Sequence, residues 1–271
     1  NPGTPVNKDT NGYAMGVTIS GNYAYVADSE SGLAIIDISD PTNPGTPVSR
    51  DTNGNAYEVT ISGNYAYVAD GVGLAIIDIS DPTNPGTPVY TDTQWNGQTL
   101  SCCPYGQGVA ISGNYAYVGM STIGLAIIDI SDPTSPGTPV YKGTIAAFYG
   151  VTISGNYAYV ASNTSGLAII DVSDPTNPGN PVYKDTNGNS YGVAISGNYA
   201  YLADDASGLA IIDISDPTNP GTPSYVNTNG NANDLTISGN YAYLANDNSS
   251  LAIIDISDPT NPGTPVYRDT N

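Results

Sequence analysis

The chain has 271 residues and carries five Lys or Arg against 25 Asp or Glu, so its net charge is −20 at pH 7. A protein that binds nucleic acid or an anionic membrane surface needs a basic face, so this balance makes both poor partners, and we predict neither nucleic-acid binding nor membrane insertion. No apolar run is long enough to insert into a membrane. A cationic ligand, a divalent metal or simple solubility fits the acidity better.

The residue types favour strands and turns over helices. There are 22 Tyr, 31 Gly and 21 Pro, but no His and one Phe. Tyr is enriched in strands and Gly and Pro in turns, so the composition predicts an all-β protein. The chain begins at Asn1 without Met or a signal peptide, which indicates a processed product or a segment of a longer chain.

One stretch returns six times along the chain. ISGNYAY begins at Ile19 and five later positions, with a step of 42 residues except for one step of 50. LAIID begins at Leu33 and five later positions at nearly the same spacing. Copies that share one core count as one domain, so residues 1–271 are predicted to form a single domain.

Each copy predicts four short strands. In the first copy, Val17–Ser20 is a short apolar strand, Gly21-Asn22 is a hairpin turn, and Tyr23–Ala27 is the second strand. The third strand is predicted over Leu33–Ser39, where apolar residues on both faces indicate cover on both sides.

The fourth strand is the most variable, and Thr138–Thr144 is an example. All basic residues stand at one position of this strand, which is typical of an exposed edge protected against unwanted pairing. They are Lys8, Arg50, Lys142, Lys184 and Arg268.

Four strands per 42 residues is the size of a propeller blade. The sequence therefore predicts a six-bladed β-propeller of four-stranded antiparallel blades, with the ISGN-side strand innermost and the TPVYKDT strand outermost.

The words GNYAYVAD and LAIIDISDPTNPGTPV resemble the LVIVD-repeat β-propellers of bacterial and archaeal surface and secreted proteins. The resemblance covers nearly the whole chain and implies the fold and an extracellular or cell-surface location. It implies no shared catalytic residues. Ala34 and its equivalents stand where the name motif has its first Val, which we interpret as a packing variant.

The third copy carries an insertion within residues 92–108 that holds Trp95, Cys102, Cys103 and Tyr105. One interpretation is a ligand or contact loop on one face, and the other is a tolerated surface insertion. The adjacent cysteines form either a strained vicinal disulfide or two free thiols.

The outer strand occurs once too often. PGTPV-type segments occur seven times, whereas the other three strands occur six times. Residues 1–10 and 261–271 duplicate the same element, and one six-bladed ring has room for only one of them. The predicted contact residues are Thr4, Pro5, Val6 and Lys8 at one end, and Thr264, Pro265, Val266, Tyr267 and Arg268 at the other.

A free strand that matches a site on every identical subunit is a donor, so the hypothesis is a homopolymer built by strand exchange. Two alternatives stay open: the spare strand simply dangles or caps an edge, or the chain is a window of a longer array.

Catalysis is weakly supported, and we predict no enzyme. With no His, no Ser or Cys nucleophile has its usual base. Carboxylates such as Asp37 and Asp40 recur in every copy, which favours turn formation over one special catalytic pair.

Calcium is the one cofactor left open. The two DTNGN segments place oxygen ligands at alternate positions, as in calcium loops, but an Asn-Gly turn explains them without metal. The candidate ligands are Asp51, Asn53, Asn55, Asp185, Asn187 and Asn189.

Two further patterns have structural explanations. Tyr pairs such as Tyr65–Tyr67 and Tyr199–Tyr201 could stack sugars, but their presence in every copy favours packing between blades. Asn163 and Asn248 stand in glycosylation acceptor patterns, which matter only if the protein is exported.

The sequence therefore predicts a non-catalytic subunit of an extracellular filament or surface layer, joined head to tail by a donated terminal strand. The alternative is a monomeric binding or adhesion module that recognises glycan or a cell-surface protein through face loops including 92–108.

Overall fold

The computed structural model describes residues 6–92, 108–120, 124–143, 147–247 and 250–269. These residues form 24 strands in six four-stranded sheets, and each sheet holds four consecutive strands. Pairing between neighbouring strands is antiparallel, as in the first sheet. The predicted fold class is confirmed: this is an all-β, six-bladed propeller with four-stranded blades.

The first three sheets follow the repeat in chain order. The first holds β1 (Gly16–Ser20), β2 (Tyr23–Ala27), β3 (Leu33–Asp37) and β4 (Val48–Arg50); the second holds β5 (Glu58–Ser62), β6 (Tyr65–Ala69), β7 (Gly73–Asp78) and β8 (Val89–Asp92). The third holds β9 (Val109–Ser112), β10 (Tyr115–Met120), β11 (Gly124–Asp129) and β12 (Val140–Lys142).

The last three sheets have the same order. The fourth holds β13 (Val151–Ser154), β14 (Tyr157–Ala161), β15 (Leu167–Asp171) and β16 (Val182–Lys184); the fifth holds β17 (Gly192–Ser196), β18 (Tyr199–Ala203), β19 (Leu209–Asp213) and β20 (Ser224–Val226). The sixth holds β21 (Ala232–Ser238), β22 (Tyr241–Asn246), β23 (Ser250–Asp255) and β24 (Val266–Asp269).

Backbone contacts divide the chain into two compact units. One comprises Asn1–Val118 and Ala126–Val140, and the other comprises Gly119–Leu125 and Tyr141–Asn271. No helix among the described residues is long and apolar enough to cross a membrane.

The core of each unit lies between consecutive sheets. In the first unit, Tyr25, Leu33 and Ile35 of the first sheet pack against Val68 and Ile77 of the second. Since successive side chains of a strand point to opposite faces, a middle strand that lies between two sheets of the same unit supplies one face to each of them. This explains why LAIID is apolar at both odd and even positions.

The same packing recurs in the second unit. Tyr201 and Ile211 of the fifth sheet contact a cluster that includes Leu244 and Ile254 of the sixth. Tyr159 and Ile169 of the fourth sheet likewise pack in a cluster with the fifth.

Tight turns join the strands of each sheet. The Gly-Asn turn places Gly21 at φ 57°, in the left-handed region that Gly enters without a steric penalty. After the third strand, Asp37 Oδ1 accepts a hydrogen bond from the Ser39 amide at 2.8 Å, and Gly45 N donates to Asp37 O at 2.8 Å. These bonds fix the loop that leads to the outer strand.

Candidate functional site

The outer position of the sixth sheet is filled by the C-terminal copy of the outer strand. In β24, Val266 lies opposite Ile253, Tyr267 opposite Ala252, and Arg268 opposite Leu251. Val266 is 51% exposed and Arg268 is exposed, and β24 is the last strand of its sheet. Of the predicted contact residues at this end, Thr264 and Pro265 precede the strand.

The N-terminal copy is not part of any described strand. Residues 6–10 have no regular secondary structure, Val6 is 53% exposed, and Lys8 is exposed. Thr4 and Pro5 lie outside the described residues. The structure thus has one outer segment paired in the sixth sheet and a second segment of matching sequence that is unpaired from Val6 to Thr10.

The N-terminal segment is anchored where it enters the first sheet. Thr10 Oγ1 donates to Asp28 Oδ1 at 2.6 Å, and the Gly12 amide donates to Asp28 Oδ2 at 3.1 Å. Asp28 is fully buried and Thr10 is 7% exposed. The segment that precedes Thr10 therefore leaves the sheet from a fixed point.

The anchor is a repeated device that sequence reasoning missed. In the fifth sheet, Asp204 Oδ1 accepts hydrogen bonds from Thr186 Oγ1 at 2.6 Å and Ser190 Oγ at 2.7 Å. Its Oδ2 accepts from the Gly188 amide at 2.9 Å. The signal was present, because Thr10 and Asp28 have the same 18-residue separation as Thr186 and Asp204.

The equivalent position in the second sheet is Asp70, which is also fully buried. Its Oδ1 accepts from the Gly73 amide at 2.9 Å and the Val72 amide at 3.2 Å. Burial raises the pKa of Asp70 above its usual value, and the amide donors oppose that rise. Asn246 takes this place in the sixth sheet, where Thr228 Oγ1 lies 3.4 Å from its Oδ1.

The predicted calcium ligands lie in the loops that contain these threonines. Asp51, Asn53, Asp185 and Asn187 are exposed, and Asn189 Nδ2 donates to Asp205 Oδ2 at 3.3 Å; Asn55 is also exposed. The described part of the chain has no group of three or more His, Cys, Asp or Glu side chains placed to hold a metal ion. Calcium binding by the amide and carboxylate oxygens stays a prediction.

The recurring exposed aspartates form turns. Asp40 Oδ1 accepts from the Thr42 amide at 3.0 Å and from Thr42 Oγ1 at 2.6 Å. These donors lower the pKa of Asp40, and the Ser39 amide lowers that of Asp37. The same shift and the same cause recur at Asp78, Asp81, Asp129, Asp132, Asp171, Asp174, Asp213, Asp216, Asp255 and Asp258.

These lowered pKa values predict acid sensitivity. A carboxyl with a folded pKa below its unfolded value stabilises the fold above the unfolded pKa, about 3.9, and the stabilisation disappears as the pH falls through the folded value. We expect the urea midpoint to fall between pH 7 and about pH 3, measured in high salt to screen the net negative charge.

The control for this prediction is Asp40→Asn, which keeps an acceptor oxygen but cannot gain a proton. The substitution should reduce the pH dependence of the urea midpoint only slightly, because Asp40 is one of many turn aspartates. An urea midpoint that is equal at both pH values, or that rises on acidification, would contradict the assignment of these aspartates to stabilising turns.

Four of the five predicted edge cations lie in outer strands, whereas Lys8 lies in no described strand, and their exposure differs. Arg50 in β4 donates from Nη2 to the Pro85 carbonyl and is half-buried, as are Lys142 in β12 and Lys184 in β16. Only Lys8 and Arg268 are exposed. Protection of an exposed strand edge by these cations stays a prediction.

The tyrosine pairs pack between sheets, as their recurrence suggested. Tyr67 is 3% and Tyr201 is 1% exposed, whereas Tyr65 and Tyr199 are half-buried. Burial raises the pKa of Tyr201, with a further rise from Tyr199. The buried member of each pair is therefore not available to stack a sugar.

Of the predicted glycosylation sites and ligand-loop residues, only Asn163 lies among the described residues. Asn163 is half-buried at φ 46°, and its Nδ2 donates to the Tyr149 hydroxyl at 3.3 Å. Asn248, Trp95, Cys102, Cys103 and Tyr105 lie outside the described residues. The glycosylation and ligand-loop predictions remain predictions.

Comparison with known proteins now identifies the family. The LVIVD repeat matches residues 11–52, 53–93, 105–139, 149–181, 187–228 and 229–266. The chain belongs to the LVIVD-repeat family. This family repeat is the 42-residue period, and each match spans most or all of one sheet. A comparison with curated protein sequences finds no match.

Solved structures resemble the LVIVD-repeat chain in fold. A putative 6-phosphogluconolactonase from Bacteroides uniformis matches with a TM-score of 0.75 at 16% identity, over 94% of this chain and 85% of that one. The β-propeller domain of Myceliophteria thermophila Cps50 (Swd1) matches with a TM-score of 0.72 at 12% identity, over 100% and 90%.

A functionally unknown protein from Desulfotomaculum acetoxidans is similar to the same extent. Its TM-score is 0.71 at 16% identity, over 95% of this chain and 86% of that one. Identities this low carry the fold and not the activity, because one fold hosts many unrelated functions.

Proposed function

We propose that this LVIVD-repeat propeller is a non-catalytic structural subunit of an extracellular filament or surface layer. Each subunit donates a terminal outer strand to the sixth sheet of a neighbouring copy. The partner is therefore a second copy of the same chain, and no cofactor takes part. The extracellular or cell-surface location is part of the proposal and is supported by the family resemblance.

The observation that carries the proposal is the surplus outer strand. β24 fills the outer position of the sixth sheet, while residues 6–10 of matching sequence lie in no strand. Val6, Lys8 and Asp9 align with Val266, Arg268 and Asp269. In the proposed assembly every chain holds one acceptor position and two candidate strands for it, and the N-terminal candidate lies in no described strand from Val6 to Thr10.

Strand donation supplies main-chain hydrogen bonds for affinity and alternate side-chain pockets for specificity. In the register of β24, Val6 of the donor would lie opposite Ile253 of the acceptor and Lys8 opposite Leu251. The contact joins two different surfaces of identical chains. Such head-to-tail contacts build open filaments when their rotation does not close a ring.

The chemistry of the described residues supports a structural role. The recurring exposed aspartates are engaged in turns with their own loops, and the buried Asp28 and Asp204 hold threonine hydroxyls and glycine amides. We therefore assign these carboxyl groups to the scaffold.

Deleting the donor tests the function. The full chain should form fibres in negative stain, and removal of residues 1–9 should leave monomers because the donor is lost while Thr10 stays on Asp28. A matched control keeps the length: Val6→Pro with Lys8→Pro removes amide donors from the donor strand, and Pro is excluded from paired strand interiors. We expect this variant to be monomeric as well.

Two outcomes would overturn the strand-donation proposal. One is a full chain that is a clean monomer at high concentration. The other is fibres of unchanged number and width after removal of residues 1–9 and, separately, after removal of residues 261–271.

A second candidate function is a monomeric adhesion module that binds glycan or a cell-surface protein. One observation favours it: Tyr13 is 80% exposed and Met15 is 50% exposed, and exposed aromatic side chains suit sugar stacking. The predicted loop 92–108 would belong to the same module. Glycan-array binding by a monomeric chain, lost in Tyr13→Ala, would favour this function over filament assembly.

A further inference from the structure

The outer position of the sixth sheet has a feature that distinguishes the two terminal strands. The Tyr267 hydroxyl accepts a hydrogen bond from the Asn229 amide at 3.0 Å. Its ring packs, partly buried, against the apolar cluster that includes Leu244 and Ile254. The side chain therefore ties the outer strand to the loop that enters the same sheet.

The fifth sheet has the same contact. The Tyr225 hydroxyl of β20 accepts from the Asn187 amide at 3.1 Å, and its ring packs against the cluster that includes Leu202 and Ile212. Burial raises the pKa of Tyr225, which fits a hydroxyl held at a half-buried site. Recurrence in two sheets indicates a built contact.

The N-terminal copy lacks this side chain. Asn7 stands where the C-terminal copy has Tyr267. An Asn side chain is too short to reach from the strand to the loop amide. The Asn229 N–H would then hydrogen-bond to water, and the contact between the ring and the apolar cluster would be lost. Ser49 holds the same position in β4, which still pairs with β3. An outer strand can therefore pair without Tyr at this position when no second strand competes for its place.

We infer that the sixth sheet discriminates between the two terminal strands through Tyr267. The inference rests on the proposed function and deepens it: the donated N-terminal strand enters a neighbour only by displacing a better-fitting C-terminal strand. Tyr267 thereby disfavours replacement of the C-terminal strand by the N-terminal strand of a neighbour. One hydrogen bond and one ring contact correspond to roughly tenfold in occupancy.

A competition for one cysteine measures this selectivity in the full chain. The chain carries Val6→Cys, Ile253→Cys and Val266→Cys, with Cys102→Ser and Cys103→Ser to remove the natural thiols. Under mild oxidation, the thiol at 253 joins the one at 6 or the one at 266, according to which strand lies beside it. Peptide mass spectrometry gives the ratio of the two disulfides, counted both within and between chains.

The 253–266 disulfide should predominate in this chain. Tyr267→Asn should raise the 6–253 share relative to 253–266 about tenfold, and Asn7→Tyr should raise it similarly, because each change makes the two strands alike. The matched control is Tyr225→Asn, which removes the same contact from the fifth sheet, where no second strand competes. It should leave the ratio unchanged.

A ratio that stays the same in both Tyr267→Asn and Asn7→Tyr would overturn the inference. An equal rise in Tyr225→Asn would also overturn it, because general loosening would then explain the change. Fibre formation by microscopy is a separate readout. If no fibres form but the disulfide ratio shifts, filament assembly is overturned and strand selection by Tyr267 stands. If fibres form but the disulfide ratio does not shift, strand selection is overturned and filament assembly stands.

Discussion

Asp204→Ala is expected to lower the free energy of unfolding by about 3–5 kcal/mol. The carboxylate is fully buried and accepts three hydrogen bonds, from the Thr186 and Ser190 hydroxyls and the Gly188 amide. Removing a buried acceptor leaves each donor without its partner, at roughly 1–3 kcal/mol per group, and the losses are not additive. Urea unfolding at pH 7 measures the change.

Two controls separate the buried network from the loss of a charge. Asp216→Ala removes an exposed aspartate whose Oδ1 accepts from the Thr218 amide and hydroxyl, and it should lower stability much less than Asp204→Ala because water replaces an exposed partner. Asp204→Asn keeps one acceptor oxygen and should fall between the two, as Asn246 occupies the equivalent position of the sixth sheet. Equal costs for Asp204→Ala and Asp216→Ala would contradict the role of the buried network.

The repeat made the order of strands predictable, because a period of about 42 residues with two apolar motifs, ISGNYAY and LAIID, is compatible with few strand arrangements. Their bounds were less predictable. The third strand was predicted to reach Ser39 but ends at Asp37, since the Asp37 carboxylate takes the Ser39 amide into a turn. Side-chain competition for a backbone donor decided this boundary.

The outer strand was predicted too long for a similar local reason. Thr138–Thr144 was expected, and the strand covers Val140–Lys142. Pro139 has no amide to donate, and Gly143 adopts φ 126°. β4 and β16 also have three residues after a proline, so the proline that precedes the strand is the shared feature.

The surplus outer strand could be counted from the sequence, but its occupant could not be chosen. Val6 and Val266 both suit the position opposite Ile253. The difference between Asn7 and Tyr267 becomes meaningful only once Asn229, 38 residues before Tyr267, is seen to donate to the Tyr hydroxyl. A contact between a strand and a distant loop amide leaves no mark in local periodicity.

The buried aspartates were missed for the opposite reason. The DTNGN loops were interpreted as metal sites or turns, so Thr186 was not paired with Asp204, which ends the YAYLAD segment. In the structure Thr186 Oγ1 donates to the Asp204 carboxylate, and Ser190 Oγ lies 3.1 Å from the Thr186 hydroxyl. The loop is thus a packing element of the sheet it enters.

Gly188→Ala should destabilise the protein by about 3 kcal/mol or more because the loop lies against the backbone of β18's end. A Cβ on Gly188 would lie 2.1 Å from the Asp204 carbonyl oxygen, which forces the loop to move. Overpacking of this kind costs about 1–3 kcal/mol, and the movement also weakens the bond from the Gly188 amide to the Asp204 carboxylate. Thermal or urea unfolding of the purified variant measures the loss.

Gly197→Ala in the same repeat separates steric conflict from backbone strain. Gly197 has φ 56° and open space around its Cβ position, so alanine there should cost only about 1–2 kcal/mol through the left-handed conformation. Gly54→Ala is the replicate in the second sheet, because its Cβ would lie 2.0 Å from the Asp70 carbonyl oxygen. If Gly188→Ala and Gly54→Ala cost no more than Gly197→Ala, the loops are not held against the sheets as the structure shows. If they cost more, the 18-residue pairing of Thr186 with Asp204 depends on glycine as well as on the carboxylate.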